Sequence, residues 1–315
     1  MRCKILILLG ITALAGFPLQ AQAAPILGSA EQFAVLGGQA VTNTGAGTTI
    51  YGDVGVSPGS SVTGLLDATQ VLPTTNTVNP VNALGTIHSA DAAAAQAQVA
   101  NTNAYLALAG LLPTANLTGQ DLGGLTLTPG IYKFDNSAQL TGTLTLNALG
   151  NDDAFWVFQI SSSLTTAPAS SVVFTGLGPA GGDFDGLFWQ VGSSATLDTT
   201  TSFAGNILAL ASITLNNGAT IDNGRALAQT GAVTLINNTI SIDSPAPNKG
   251  PGLSGGLEFN AAGQLVPTGG SGAGQPLPTG TPVPEPSTLL IFCAGMAGLL
   301  CSRKRILAAP SSLTS

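Results

Sequence analysis

Residues 211–241 read ASITLNNGATIDNGRALAQTGAVTLINNTIS, and the stretch repeats itself. Ser212-Ile-Thr-Leu returns as Ala232-Val-Thr-Leu, and Ala219-Thr-Ile returns as Asn238-Thr-Ile. With Ala195-Thr-Leu added, Thr196, Thr214 and Thr234 fall 18 and 20 residues apart. A second set, Phe203, Ile221 and Ile240, is spaced 18 and 19, and residues 207–210 return as 226–229. Three short strands in each turn of this length predict a mainly β fold, a three-sided parallel β-solenoid. Asn216-Asn-Gly218, Asn223-Gly224 and Asn237-Asn238 fall at its corners, where Asn and Gly tolerate a left-handed backbone.

Earlier segments fit the same template. Val157-Phe-Gln-Ile160 aligns with Phe188-Trp-Gln-Val191, 31 residues on, with GLGPAGGDFDG looped out between them. Thr143-Leu-Thr145-Leu and Leu164-Thr165 read as further rungs. Near the N-terminus, Val41-Thr42 matches Val233-Thr234 and Thr49-Ile50 matches Thr239-Ile240. The solenoid is therefore discontinuous in sequence. Within the interruption, residues 89–109 predict one long flanking α-helix: Ser89 as cap, Asp91 in the first turn, an alanine-rich body, and Gly110 with Pro113 as the stop. Ala92, Ala95, Val99 and Leu106 are expected to face the solenoid wall that the helix covers.

Strand alternation then predicts what the threonines meet. Ile213 and Leu215 point inward, so Ser212, Thr214 and Asn216 point out. The same parity turns out Ser194 and Thr196, and Ala232 and Thr234. Adding Thr42, Thr145 and Thr165 gives the candidate face: Thr42, Thr145, Thr165, Ser194, Thr196, Ser212, Thr214, Ala232 and Thr234. Stacked rungs lie about 4.8 Å apart and alternate residues about 6.6 Å apart. Such a grid of methyls and hydroxyls suits a solid with a matching repeat, and hexagonal ice has oxygen spacings close to both. Alternatively, threonine is simply a good residue for an exposed strand.

Composition narrows the class. Charged residues make up only 7% of the 315, while the hydrophobic fraction of 44% rules out a disordered chain. Between residues 24 and 287, three bases (Lys133, Arg225, Lys249) stand against fifteen acids, a net charge of −12 that repels nucleic acid. The three cysteines, Cys3, Cys293 and Cys301, all lie in the end segments, so the body is expected to fold without disulfides or cofactors, as a monomer. His88 is the only histidine, which leaves no zinc set and no second histidine for nucleophilic catalysis. The expectation is a non-enzyme without a metal. Asp152-Asp153 and Asp183-x-Asp185 mark solvated loops, although oxygen ligands with Gly-rich turns are also the kind Ca²⁺ takes. Phe155, Trp156 and Trp189 sit in apolar runs and read as core or cap residues rather than sugar platforms.

Both ends read as addresses. Residues 1–23 carry Arg2 and Lys4, an apolar run and a small-x-small site at Ala21-Gln-Ala23, the pattern of a secretory signal peptide. The body follows at 24–243. Residues 244–287 hold 19 Pro or Gly in 44 positions and predict an extended linker without a core of its own. Residues 289–301 are apolar and short for a membrane span, and Arg303-Lys-Arg305 places the cytoplasmic side. A tail, 306–315, follows.

Residues 27–242 resemble the bacterial and fungal ice-binding proteins of the DUF3494 family. The carrying segments are LGSAEQFAVLGG, TIYGDVGVSPG, LTPGIYKF, DAFWVFQI, FWQVGSSATLDTTTSFAGNILA, ASITLNNGATIDNGRALA and AVTLINNTIS. The resemblance implies a right-handed β-helix, a lateral helix and a flat ice-binding face. Some members carry Thr-(Ala/Gly)-x-(Thr/Asn) on that face; here Thr230-Gly-Ala-Val-Thr234 has an inserted residue, and Ala211-Ser-Ile-Thr214 lacks the first Thr. Residues 283–305, with Pro284, Glu285 and Pro286, resemble a PEP-CTERM sorting signal. That implies an exosortase-type processing enzyme and the surface of a Gram-negative bacterium, with transient anchoring by the C-terminal segment. The alternative reading is a cell-surface adhesin or matrix protein on the same fold, with extracellular polysaccharide as its partner.

Overall fold

The computed structural model describes residues 24–65, 85–178, 186–242, 255–260 and 263–267. The signal peptide, Asp183, Asp185, Lys249, the sorting signal with its apolar segment, and the tail lie outside the described residues.

Strand pairing builds three walls, all parallel. The first runs Ile87–Ser89, Asp53–Val56, Phe33–Gly37, 225–228, 206–209, Gly186–Val191, Phe155–Ile160, Gly130–Phe134 and Ala115–Asn116. At about 4.8 Å per strand it is about 38 Å long. The second runs Ser61–Thr63, Ala40–Asn43, Val233–Leu235, Ile213–Leu215, Ala195–Leu197, Leu164–Thr166 and Ala138–Leu140. The third runs Thr49–Tyr51, Thr239–Ser241, 220–222, 202–204, Ser171–Thr175, Thr143–Asn147 and Thr126–Leu127.

The coil order is not the chain order. Val41 pairs with Val233, Thr42 with Thr234 and Thr49 with Thr239, so the N-terminal coil stacks on the last C-terminal one. The repeats supply this register: each inward aliphatic must meet another, and a one-residue slip would turn every one of them outward.

The interior is a single apolar column. Val41, Leu164, Ala195, Ile213 and Val233 are fully buried behind the second wall. Aromatic rings fill the wider part: Phe158 stacks on Trp189 at 4.1 Å, and Phe203 lies 4.8 Å from Trp189. The indole N–H groups of Trp156 and Trp189 donate to the carbonyls of Leu127 and Ala204, so both rings are internal. Asn223 and Asn237 hold the left-handed backbone at corners, with φ of 50° and 52°. Ala169 and Thr200 do the same at 57° and 56°, where the composition gave no hint. Asn238 braces its corner: its amide donates to the carbonyls of Asn216 and Ala219, both at 2.9 Å, and its oxygen accepts from the Ile236 N–H.

The helix spans Ala92–Ala109, about 27 Å, and covers the first wall. Its cap is Asp91, not Ser89: the Asp91 carboxylate accepts from the Ala94 N–H at 2.9 Å, while the Ser89 hydroxyl donates to the Ser60 carbonyl. The packing face also differs from expectation. Ala94, Ala97, Ala104 and Leu108 are buried, whereas Val99 and Leu106 are 62% and 53% exposed. Small residues win the contact because they let the helix axis approach the wall, where Leu36, Val157, Phe188, Leu208 and Leu227 form a second core. Polar side chains lock the helix down. Gln159 donates to the helix-terminal carbonyls of Leu108 (2.7 Å) and Leu111 (2.8 Å), and Gln98 donates to that of Ala228. His88 Nδ1 lies 2.7 Å from Asp91, which ties the cap to the last coil.

Arg225 is buried beneath this assembly. It donates to Asn206 Oδ1 (2.7 Å), the Glu31 carbonyl and the Glu31 carboxylate (2.9 Å). One of the body's few positive charges is thus removed from the surface.

The expected linker is partly structured. Leu257–Phe259 and Leu265–Pro267 form an antiparallel hairpin that continues onto Ala24–Pro25. Leu257 is buried in the second core, so apolar residues inside a Pro/Gly-rich stretch were enough to dock it.

Candidate functional site

The strands of the second wall are short, and the three central ones, Ala195–Leu197, Ile213–Leu215 and Val233–Leu235, alternate buried, partly exposed, buried. The pairing places Thr165, Thr196, Thr214, Thr234, Thr42 and Thr63 opposite one another on six successive coils. Beside them stands a second rank, Ser163, Ser194, Ser212, Ala232, Ala40 and Ser61, each one residue before an inward aliphatic. Neither rank contains a charge or an aromatic ring. All twelve side chains are at least partly exposed, and no element covers them among the described residues. The structure gives the six threonine hydroxyls no protein partner among the described residues.

β-Branched threonine is stiff at χ1, and the backbone beneath all but Thr63, on the edge strand, is held by the ladder on both sides. The wall is therefore rigid before any ligand arrives. A charge flanks it: Asp198 follows Leu197 in its coil. Hydrogen bonds from the Asn216 amide and the Thr199 N–H hold its carboxyl below the usual aspartate value.

Eight of the nine residues expected at the face share this wall: Thr42, Thr165, Ser194, Thr196, Ser212, Thr214, Ala232 and Thr234. Thr145 does not. It belongs to the third wall, paired with Thr126 and Val173, and its coil presents Gln139 on the second wall instead. Inward–outward alternation is the same on every wall, so a Leu-Thr-Leu triplet alone does not reveal which side it occupies. Thr63 was missed, although Ser61-Val-Thr63 repeats Ala40-Val-Thr42 and Ala232-Val-Thr234.

The third wall is the natural comparison. It too carries a hydroxyl rank: Thr143, Ser171, Ser202, Thr220, Thr239 and Thr49. Its neighbouring rank, however, holds Tyr51, Asp222 and Val173, and a bulge at Ala204/Asn206 breaks the register. A charge and a projecting ring make that wall uneven. Among the described residues no group of three His, Cys, Asp or Glu could hold a metal ion, and no helix is long and apolar enough to cross a membrane.

A rigid parallel solenoid that bares one flat, uncharged hydroxyl face defines a protein that binds through an extended periodic surface rather than a cleft. Comparison with known proteins gives the same class. Residues 35–241 match the family model described as ice-binding-like, and the chain belongs to that family. An ice-binding protein of Nostoc sp. (strain HG1) is 53% identical over 240 residues, covering 76% of this chain and 82% of the relative. Among solved structures, an ice-binding protein from an Antarctic biological consortium is 45% identical with a TM-score of 0.60, covering 71% of this chain and 95% of that one. The ice-binding protein of Antarctomyces psychrotrophicus is 37% identical with a TM-score of 0.60, covering 69% and 98%. A second model, the PEP-CTERM protein-sorting motif, matches residues 282–305.

Proposed function

We propose that this protein is exported and binds ice through the second wall, with the threonine rank Thr165, Thr196, Thr214, Thr234, Thr42 and Thr63 at the contact. The observation that carries the reading is the register of that rank over six coils, exposed and free of charge. Rungs about 4.8 Å apart and residues about 6.6 Å apart match ice in two directions at once. Methyls occupy lattice hollows, and the unclaimed hydroxyls anchor ordered water that merges with the crystal. A charged group would keep its own hydration shell, and both ranks lack one. Adsorption of this kind slows growth and recrystallisation, or holds the cell to ice. It involves no bond making or breaking, so the protein acts as a binder and not as an enzyme.

The sorting motif supports processing by an exosortase-type enzyme at a Gram-negative cell envelope, with Pro284, Glu285 and Pro286 as its recognition element and the apolar segment as a transient anchor. A Glu285→Ala chain should accumulate unprocessed in its host, which a mass difference at the C-terminus would reveal. Slow freezing of a solution of the full chain tests the main reading: the protein enters the growing ice if the reading holds. Exclusion from ice, like a small inert protein in the same vessel, would leave a surface adhesin or matrix role on the same fold.

A further inference from the structure

Two serines of the rank beside the threonines, Ser194 and Ser212, already accept hydrogen bonds, and the bonds follow a pattern. At the corner that enters the second wall, the later coil donates to the earlier one: Leu210 N–H to the Val191 carbonyl, Ala211 N–H to that of Ser193, and Gly231 N–H to that of Ala211. At the first residue of each wall strand the direction reverses, and the earlier coil donates: Ala195 N–H to the Ser212 carbonyl (2.9 Å) and Ile213 N–H to that of Ala232 (3.0 Å). At the reversal the Ser163, Ser212 and Ala232 N–H groups have no backbone acceptor. A serine of the earlier coil supplies the acceptor. Ser194 Oγ receives the Ser212 N–H at 3.3 Å, Ser212 Oγ receives the Ala232 N–H at 3.2 Å, and Ser137 Oγ receives the Ser163 N–H at 3.4 Å. The fit is close: a Cβ at Gly231 would lie 2.2 Å from Ser212 Oγ, so glycine there is what lets the serine reach across. An unmet backbone N–H at each joint would loosen the coil spacing that the neighbouring threonines depend on.

We infer that Ser194 and Ser212 are positioning residues of the ice-binding wall and not contacts to ice. Each is a bracket between successive coils that holds Thr196, Thr214 and Thr234 in register. The inference rests on the second wall being the ice-binding surface, and it divides that surface into a contacting threonine rank and a supporting serine rank.

The test uses the full chain with Ser212→Ala and Ser212→Thr, read by amide hydrogen exchange and by partition into ice well below the unfolding temperature. In Ser212→Ala the Ala232 amide should exchange about fivefold to tenfold faster, and the fraction entering ice should fall below wild type. Ser212→Thr keeps the oxygen in the same niche and should restore both. Lost ice partition with unchanged Ala232 exchange would overturn the inference, since the serine would then be touching ice itself. Faster exchange with undiminished partition, or no change in either, would overturn it equally. Thr214→Tyr separates this from the parent reading: if that variant still enters ice, the choice of wall fails, whatever Ser212 does.

Discussion

Thr214 stands near the middle of the rank, with Thr196 and Thr234 on the coils to either side. Replacing it by tyrosine puts a rigid ring above a plane that is otherwise level. A gap of even 0.5–1 Å forfeits about a quarter to a half of a dispersion contact, and a ring lifts the wall by more than that. Each methyl buried against the lattice contributes roughly 0.8 kcal/mol, so six supply on the order of 5 kcal/mol. Thr214 and its two neighbours make up half of the rank. Their loss corresponds to about 2.4 kcal/mol, or about fiftyfold in affinity. Fold stability should change by less than about 0.5 kcal/mol, because the side chain points outward and aromatic residues suit strands. Thermal hysteresis and ice partition, measured beside a thermal melt, check both parts. A Thr214→Tyr protein with wild-type melting and hysteresis within twofold of wild type would refute the assignment of this wall.

Three further outcomes follow from the same structure. Thr145→Tyr, on the third wall, should leave ice partition unchanged, and a loss there would mean that the wrong wall has been chosen. Arg225→Met removes a buried partner of the Glu31 carboxylate and should cost about 3–5 kcal/mol, seen as a melting temperature lower by roughly 10 °C. Asp91→Ala removes the helix cap and should cost about 1 kcal/mol at neutral pH. The Ala94 N–H and then the His88 side chain lower the Asp91 pKa, so its contribution is complete above the unfolded value near 3.9. It fades as pH falls through the lower folded value, and melting curves of variant and wild type, compared from pH 7 down to about 2, should converge at the acid end.

The repeats from residue 195 onward determined the fold class, the coil length and the pairing of strands far apart in the chain. Val41 meets Val233 because both must bury against the same column, and that demand is written in the local alternation. The same alternation fixed which side chains of a strand leave the core. It says nothing about which of three sides a strand lies on, so Thr145 and Thr165 looked alike until the coils were stacked. Nor did it show which face of the alanine-rich helix is buried, since closeness of approach, not hydrophobicity, chose Ala97 over Val99. The serine brackets were out of reach for a related reason: they answer a reversal in backbone bonding at a corner, and that reversal exists only once one coil rests on the next.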